Sequence, residues 1–280
     1  MIRIGPSGNS EAFYASGRKH TYEEGEFLHS LGLNAFEYSF GRGVSISDDT
    51  AAKIKSEFAK YGIALSVHAP YYTNFANPDP EMIKKSVGYI IQSLVACNKM
   101  GGERVVFHPA SCGKALRAEA VAETEKNLLL LAEACERLDF EFKICAETMG
   151  KVNQIGTVEE VVGFCLLYDK MYPCFDFGHI NAYTRGGLAT KDDYKRILDY
   201  TIEKLGFEKA SQMHVHFSKI QYGDKGELRH LTFADDKYGP EYAPLAELFD
   251  EYKMSPYIVC ESDGTMSDDA LTMKNMHKNA

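Results

Sequence analysis

Tryptophan is absent from this 280-residue chain, and no stretch approaches the roughly 18 consecutive apolar residues of a membrane-spanning helix. The opening MIRIGPSG carries no apolar segment of the kind a secretory leader needs. A soluble, cytoplasmic protein without a membrane partner is therefore expected. No CxxC occurs. The seven cysteines (Cys97, Cys112, Cys135, Cys145, Cys165, Cys174 and Cys260) are odd in number and fall mostly inside apolar runs. That argues against a disulfide framework and for buried thiols in a reducing compartment. Basic charge is in deficit, with a net charge of −9 at pH 7. This excludes a protein that holds nucleic acid by a basic surface alone. The exclusion loosens for a metalloprotein, because bound divalent ions supply positive charge where a phosphate would sit. Linkers and low-complexity stretches are also missing, so residues 1–280 are expected to form one domain, acting as a monomer.

What is present is a regular alternation. Short β-type runs occur at Ile2–Gly5, Ala35–Ser39, Ala64–His68, Arg104–His108, Phe142–Glu147, Cys174–Phe177, Gln212–Phe217 and Tyr257–Glu261. Several are continuously apolar, as strands covered by helices should be. Helical patterns lie between them at 22–31, 48–60, 80–100, 117–138, from Thr157 onward, 192–205, 242–252 and 267–278. Asp79-Pro80 and Gly101-Gly102 punctuate the third of these, and Thr157 with Glu160 has the spacing of a capping box. Eight such units predict an α/β fold, a TIM (β/α)8 barrel, rather than an open doubly wound sheet. The longest irregular stretch, Ser218–Pro240, follows the seventh strand, where a long loop is usually functional.

Histidines and carboxylates fall at the ends of these runs or just beyond: His68, His108, Glu147, Asp176, His179, His214, His216, His230 and Glu261. In a parallel barrel those ends converge on one face. A single histidine there is usually structural, and an aspartate often only caps the next helix. Glu147 and Glu261 directly follow apolar strands, and burying two carboxylates together is costly unless a cation neutralises them. A divalent-metal site follows, with room for more than one ion. His214 and His216 point the same way along one strand but differ in height by about 6.5 Å, so one is expected to ligate while the other binds substrate. His20, His29 and His277 are expected at the surface. Arg42, Lys151, Arg185, Lys219, Lys225 and Arg229 are candidates for a phosphate-binding rim.

The segments SVHAPYYTNFANPD, VFHPAS, AETMGK, FDFGHINAY, MHVHFSK and CES, in this order, resemble the endonuclease IV-type apurinic/apyrimidinic (AP) endonuclease family over residues 63–263. The resemblance implies a TIM barrel with zinc. His68 and His108 would hold one ion, with Glu147 bridging to a second completed by Asp176, His214 and Glu261. His179 would hold a third, with His230 standing for the histidine of the family's Asp-x-His. Leu228 occupies the position of that aspartate, so two or three ions remain open, with Glu227 as a substitute from a shifted register. Tyr71 matches an aromatic that such enzymes push into DNA, and His216 and Arg229 are further substrate-binding candidates. The implied reaction is hydrolysis of the phosphodiester 5′ to an abasic site in DNA, with Glu147 and Glu261 as catalytic groups.

A second reading uses fewer residues. Glu147, Asp176, His214 and Glu261 also suit the one metal, manganese or another divalent ion, of a sugar isomerase or epimerase in the xylose isomerase-like superfamily. There two carboxylates would relay protons. His68 and His108 separate the readings, because a single-metal site does not need them. A third reading is a barrel with a decayed, non-catalytic site.

Overall fold

The computed structural model describes residues 1–41 and 43–277, so Arg42 and the predicted helix end at Lys278 lie outside the described residues. Eight parallel strands form a nearly closed barrel: β1 (Arg3–Pro6), β2 (Ala35–Ser39), β3 (Ala64–His68), β4 (Arg104–Phe107), β5 (Lys143–Glu147), β6 (Met171–Asp176), β7 (His214–Phe217) and β8 (Tyr257–Cys260). Their order is β1-β8-β7-β6-β5-β4-β3-β2. The seam between β1 and β2 is bridged at Ser7 and Glu37, with Gly8 N donating to Glu37 O at 2.9 Å. Gly5 allows this approach: a Cβ there would sit 1.6 Å from Ala35 O.

Helices cover the outside, and their caps follow from local sequence. Ser47 accepts from Thr50 N at the start of Asp48–Tyr61, and Gly62 ends that helix in a left-handed conformation. Asp79 and Pro80 open Pro80–Lys99. Thr157 and Glu160 form the predicted capping box of Val158–Cys165. The main apolar core lies between strands and helices, with Leu65, Val67, Phe107, Ile144, Phe175, Val215 and Ile258 facing outward from the barrel wall.

The barrel interior is different. It holds two small apolar groups, Ala35/Tyr257/Val259 and Val106/Cys145/Cys174. Around them sit buried polar side chains: Glu37, Ser66, Arg104, His214 and His216. Apolar residues usually fill a TIM barrel's interior. Here strands β2, β3, β4 and β7 aim polar residues inward, and each must find a partner there.

The segment expected to be irregular, Ser218–Pro240, contains an antiparallel hairpin, Lys219–Gly223 with Gly226–Leu231, whose register slips between Gln221 and Tyr222. It is pinned to the loop after β5 by Glu227 N donating to Gly150 O (2.9 Å) and Val152 N donating to Lys225 O (3.1 Å). Glycine is required at this crossing, because a Cβ on Gly226 (φ +90°) would meet Gly150 O at 2.1 Å. Two further expectations are corrected. His277, just past the helix Met266–Asn275, is buried, because its ring is bonded on both sides, to Tyr242 Oη (2.7 Å) and Asp250 Oδ1 (3.0 Å). Lys219 is turned from the rim to Glu241 (2.8 Å) and Asp235 O (2.7 Å).

Candidate metal centre

A cavity of about 610 Å³ opens at the C-terminal ends of the strands. Glu147, the last residue of β5, is its centre. His68 Nε2 (3.1 Å) and His108 Nε2 (3.0 Å) approach its Oε2, while His216 Nδ1 (3.1 Å) and His179 Nδ1 (3.4 Å) approach its Oε1. One carboxylate thus faces two sets of nitrogen donors, one set per oxygen, as a bridging ligand would.

Potential ligand atoms gather in three adjoining groups at the mouth: His68/His108/Glu147, Glu147/Asp176/His216/Glu261 and His179/Glu227/His230. Within each group the atoms lie within 4.8 Å of one another. Asp176 does two jobs. Its Oδ1 caps the helix Phe177–Tyr183 by accepting from His179 N (2.7 Å), which also turns His179 toward the site. Its Oδ2 is buried and makes no hydrogen bond. An orphaned carboxylate oxygen among imidazoles and two further carboxylates fits a cation. The donor set of His nitrogen and carboxylate oxygen suits zinc, manganese or iron.

The imidazoles are oriented from behind. His68 Nδ1 contacts Ala69 O (2.7 Å), His108 Nδ1 contacts Tyr71 O (3.2 Å) and His179 Nδ1 contacts Thr148 O (2.9 Å). A carbonyl only accepts, so each Nδ1 carries a proton and Nε2 is the atom each ring turns to the carboxylates of the site.

Charge follows this geometry. Burial works to raise Glu147, but the charges of His108 and His216 and the bonds from His108 and His179 outweigh it and hold the carboxyl well below its usual range. Burial lowers His68, yet its bond to Glu147 wins and the imidazole rises. His179 rises further, with Asp176 and Glu147 overcoming burial. Burial pushes His108 down, and burial pushes Glu261 up despite His216 and His230.

Most of the predicted site residues meet here. His214 does not lie with the mouth carboxylates. It sits one step down the barrel, its Nε2 3.1 Å from Glu37 Oε2 and its ring stacked on Tyr257. His216 takes the place expected for His214, and, fully buried behind the mouth, it does not line the cavity where substrate would sit. The reason is strand register: His216 pairs with Asp176 and His214 with Cys174, one step deeper. His230 reaches the site from the hairpin, bonded to Ser218 Oγ (2.8 Å). Glu227 joins it, 3.5 Å from His179 Nε2. Leu228 lines the cavity's rim, is 60% exposed and belongs to none of the three groups. Tyr71 lies over His68 and His108 (ring centroids 4.7 and 5.4 Å), with its hydroxyl 2.8 Å from Ser39 Oγ. Arg229 and Lys151 line the cavity wall.

Sequence reasoning missed Glu37. It sits in the middle of β2, fully buried, and accepts from Ser66 Oγ at 2.8 Å. A lone carboxylate inside the run Ala-Phe-Glu-Tyr-Ser was the available signal.

Residues 26–276 match the family model described as xylose isomerase-like TIM barrel. An uncharacterized protein of Methanocaldococcus jannaschii is 31% identical over 251 residues, 89% of each chain. The protein named "Probable endonuclease 4" of Acholeplasma laidlawii is 31% identical over 162 residues, 56% of this chain and 53% of its own. The alignment thus spans about half the length of that relative. Among solved structures, endonuclease IV from Thermus thermophilus superposes with a TM-score of 0.66 at 18% identity, covering 92% of this chain and 94% of that one. A D-tagatose 3-epimerase-like protein does so with a TM-score of 0.69 at 20% identity, covering 98% and 95%. At such identities these structures speak for the fold alone. The chain belongs to the xylose isomerase-like TIM-barrel family.

Proposed function

We propose that the protein is a metal-dependent phosphodiesterase of the endonuclease IV type, cleaving DNA on the 5′ side of abasic sites in the cytoplasm. The observation that carries this reading is Glu147 held between two pairs of imidazoles, with a third group formed by His179, Glu227 and His230 beside it. A single-metal site needs far fewer donors. The resemblance to proteins named endonuclease 4 points the same way.

His68, His108 and Glu147 would hold one ion, Glu147, Asp176, His216 and Glu261 a second, and His179, Glu227 and His230 a third. Zinc suits this set. Bound ions of this kind lower the pKa of water and offset charge on a phosphate. The chain's own residues do the rest. Glu261, lining the cavity beside His216 and His230, is placed to orient the nucleophile at the reacting phosphate. Lys151 and Arg229 attract the phosphodiester to an otherwise acidic protein. Tyr71, half-exposed and fixed by Ser39, presents a ring edge to the gap left by a missing base. Such a nucleotide turns out of the duplex at less cost than an intact one.

One observation favours a second reading. Glu147, Asp176, His216 and Glu261 alone form a compact four-donor group. A sugar epimerase would use that group with a single metal. Metal analysis of protein purified without chelator separates the two. Two or three ions per chain, with nicking of a duplex containing one abasic site, supports the phosphodiesterase. One ion per chain and no nicking transfers the assignment to epimerase chemistry.

A further inference from the structure

His216 is anchored differently from the other imidazoles of the centre. His68, His108 and His179 each rest Nδ1 on a main-chain carbonyl and present Nε2. His216 is reversed. Its Nδ1 faces Glu147 (3.1 Å) and Glu261 (3.5 Å), and its Nε2 faces Glu37 Oε1 at 2.9 Å. The approach falls outside good hydrogen-bond geometry, and neither His216 Nε2 nor Glu37 Oε1 has a well-aligned partner among the described residues. Both side chains are fully buried.

We propose that Glu37 is a positioning residue of the metal centre: it holds the proton of His216 on Nε2, so that the Nδ1 lone pair is always turned toward Glu147 and Glu261. The inference rests on reading the mouth cluster as a metal centre and is independent of whether the reaction is nuclease or epimerase chemistry. A buried imidazole without such a partner is free to flip or to take the other tautomer, and either removes one ligand. A carboxylate also makes the imidazole a stronger donor than a carbonyl does. Glu37 is itself fixed, because Ser66 Oγ donates to its other oxygen at 2.8 Å and Ser66 lies beside it across the β2–β3 register. The carboxylate enters from β2, and no residue of β2 belongs to the three mouth groups. Glu37 thus reaches the centre through His216.

The test is metal affinity read directly. Metal-free wild type, Glu37→Gln and Ser66→Ala are titrated with Zn²⁺ against a chromophoric chelator, and with Co²⁺ followed by visible absorption. Circular dichroism and melting of the metal-free proteins establish that each is folded. In Glu37→Gln one ion should bind about 10–100-fold more weakly with the others unchanged, the range expected when such a partner is removed. The Co²⁺ spectrum of that site should change with it. Ser66→Ala, which only loosens Glu37, should weaken the same ion by a smaller factor and serves if Glu37→Gln does not fold. Cys174→Ser, next to His216, should leave every affinity in place. Wild-type affinities in folded Glu37→Gln would overturn the role of Glu37. Loss of an ion in Cys174→Ser would overturn it too, by showing that the barrel interior ligates metal itself. A wild type that binds no metal would overturn the reading of the whole centre.

Discussion

At the mouth of the barrel, Glu147 lies among His68, His108, His179 and His216, with Asp176 and Glu261 alongside. One step down the strands, Glu37 lies between His214 and His216 with Ser66 beneath. Both places are built from imidazole and carboxylate in parallel strands. They differ in balance and in access. The mouth has four carboxylates, Glu147, Asp176, Glu227 and Glu261, and a cavity in front of them. The floor has one carboxylate, fully buried, with no cavity residue among its members. Burial works to raise Glu37, but the charge and contacts of His216 and His214 hold it well below its usual range, while burial pushes His214 down to about 4. The floor sets its one carboxylate against two imidazoles, although Glu37 Oε1, His216 Nε2 and both His214 nitrogens make no well-aligned hydrogen bond. The mouth gathers more carboxylates than its protein partners need, and a cation would complete it. The same residue types serve structure or chemistry according to how many carboxylates meet and whether a cavity opens on them.

The comparison breaks most completely at Glu147. Glu147→Gln removes the charge that two sets of imidazoles share. We expect loss of more than one bound ion and a fall in turnover of about 10³-fold, the several kcal/mol that metal ions supply to such reactions. Elemental analysis and single-turnover kinetics check it. Retention of every ion would show that Glu147 does not bridge.

Glu24 shows what burial does to a carboxylate without imidazoles. It is fully buried in the helix Glu24–Ser30, neither oxygen makes a hydrogen bond, and burial raises it to about 8. Below the ordinary carboxylate range, folded and unfolded chains both hold this proton. From there to about pH 8 only the folded chain keeps it, so stability falls as pH rises, and above about 8 it levels off. Glu24→Gln should remove that slope and stabilise the protein by a few kcal/mol at pH 9, because each pH unit of that window costs the wild type about 1.4 kcal/mol. Denaturant melts of both proteins at pH 5, 7 and 9 measure it. Parallel pH dependence in the two would show that Glu24 finds a partner in solution.

Glu227 tests how far the mouth extends. Glu227→Ala should remove one ion and lower turnover by about 10–100-fold, at least the cost of disturbing a ligand's own support. Adding Leu228→Asp to it should restore nothing, because Leu228 is the unpaired, mostly exposed residue of the hairpin's register slip and Glu227 is the one beside His179. Recovery of the ion in the double variant would mean that the hairpin re-registers when metal binds.

These contrasts also mark what the sequence reveals. The barrel was legible because its signal is repeated: eight apolar runs, with β2 and β3 bounded as the pattern predicts and most others within a residue or two. Helix caps at Asp79 and Thr157 are local chemistry and were equally plain. The mouth was legible because a carboxylate that closes an apolar strand is costly unless a positive group meets it. Three things needed coordinates. Glu37 is hidden inside a strand, where no spacing marks it. The hairpin is short and polar, and its slip at Gln221/Tyr222 has no sequence signature. The depth of a strand residue depends on register with its neighbours, which is a property of the whole sheet.

That last point makes His214 the sharpest and smallest test. The family resemblance implied it as the ligand of β7, whereas the register puts His216 at the mouth and His214 at the floor. His214→Asn keeps a donor near Glu37 but loses the ring stacked on Tyr257 (centroids 5.0 Å apart). We expect an unchanged metal count, unchanged turnover and a loss of about 1–2 kcal/mol in unfolding free energy, the sum of one weakened polar contact and one lost ring contact. The result discriminates because a ligand and a floor residue respond in opposite observables. Removing a ligand costs an ion and leaves the melting of the metal-free protein nearly alone. Removing a floor residue costs melting temperature in the metal-free and metal-loaded protein alike. A lost ion with unchanged metal-free stability would move the centre one step down the barrel and make His214, not His216, the member that Glu147 and Asp176 share.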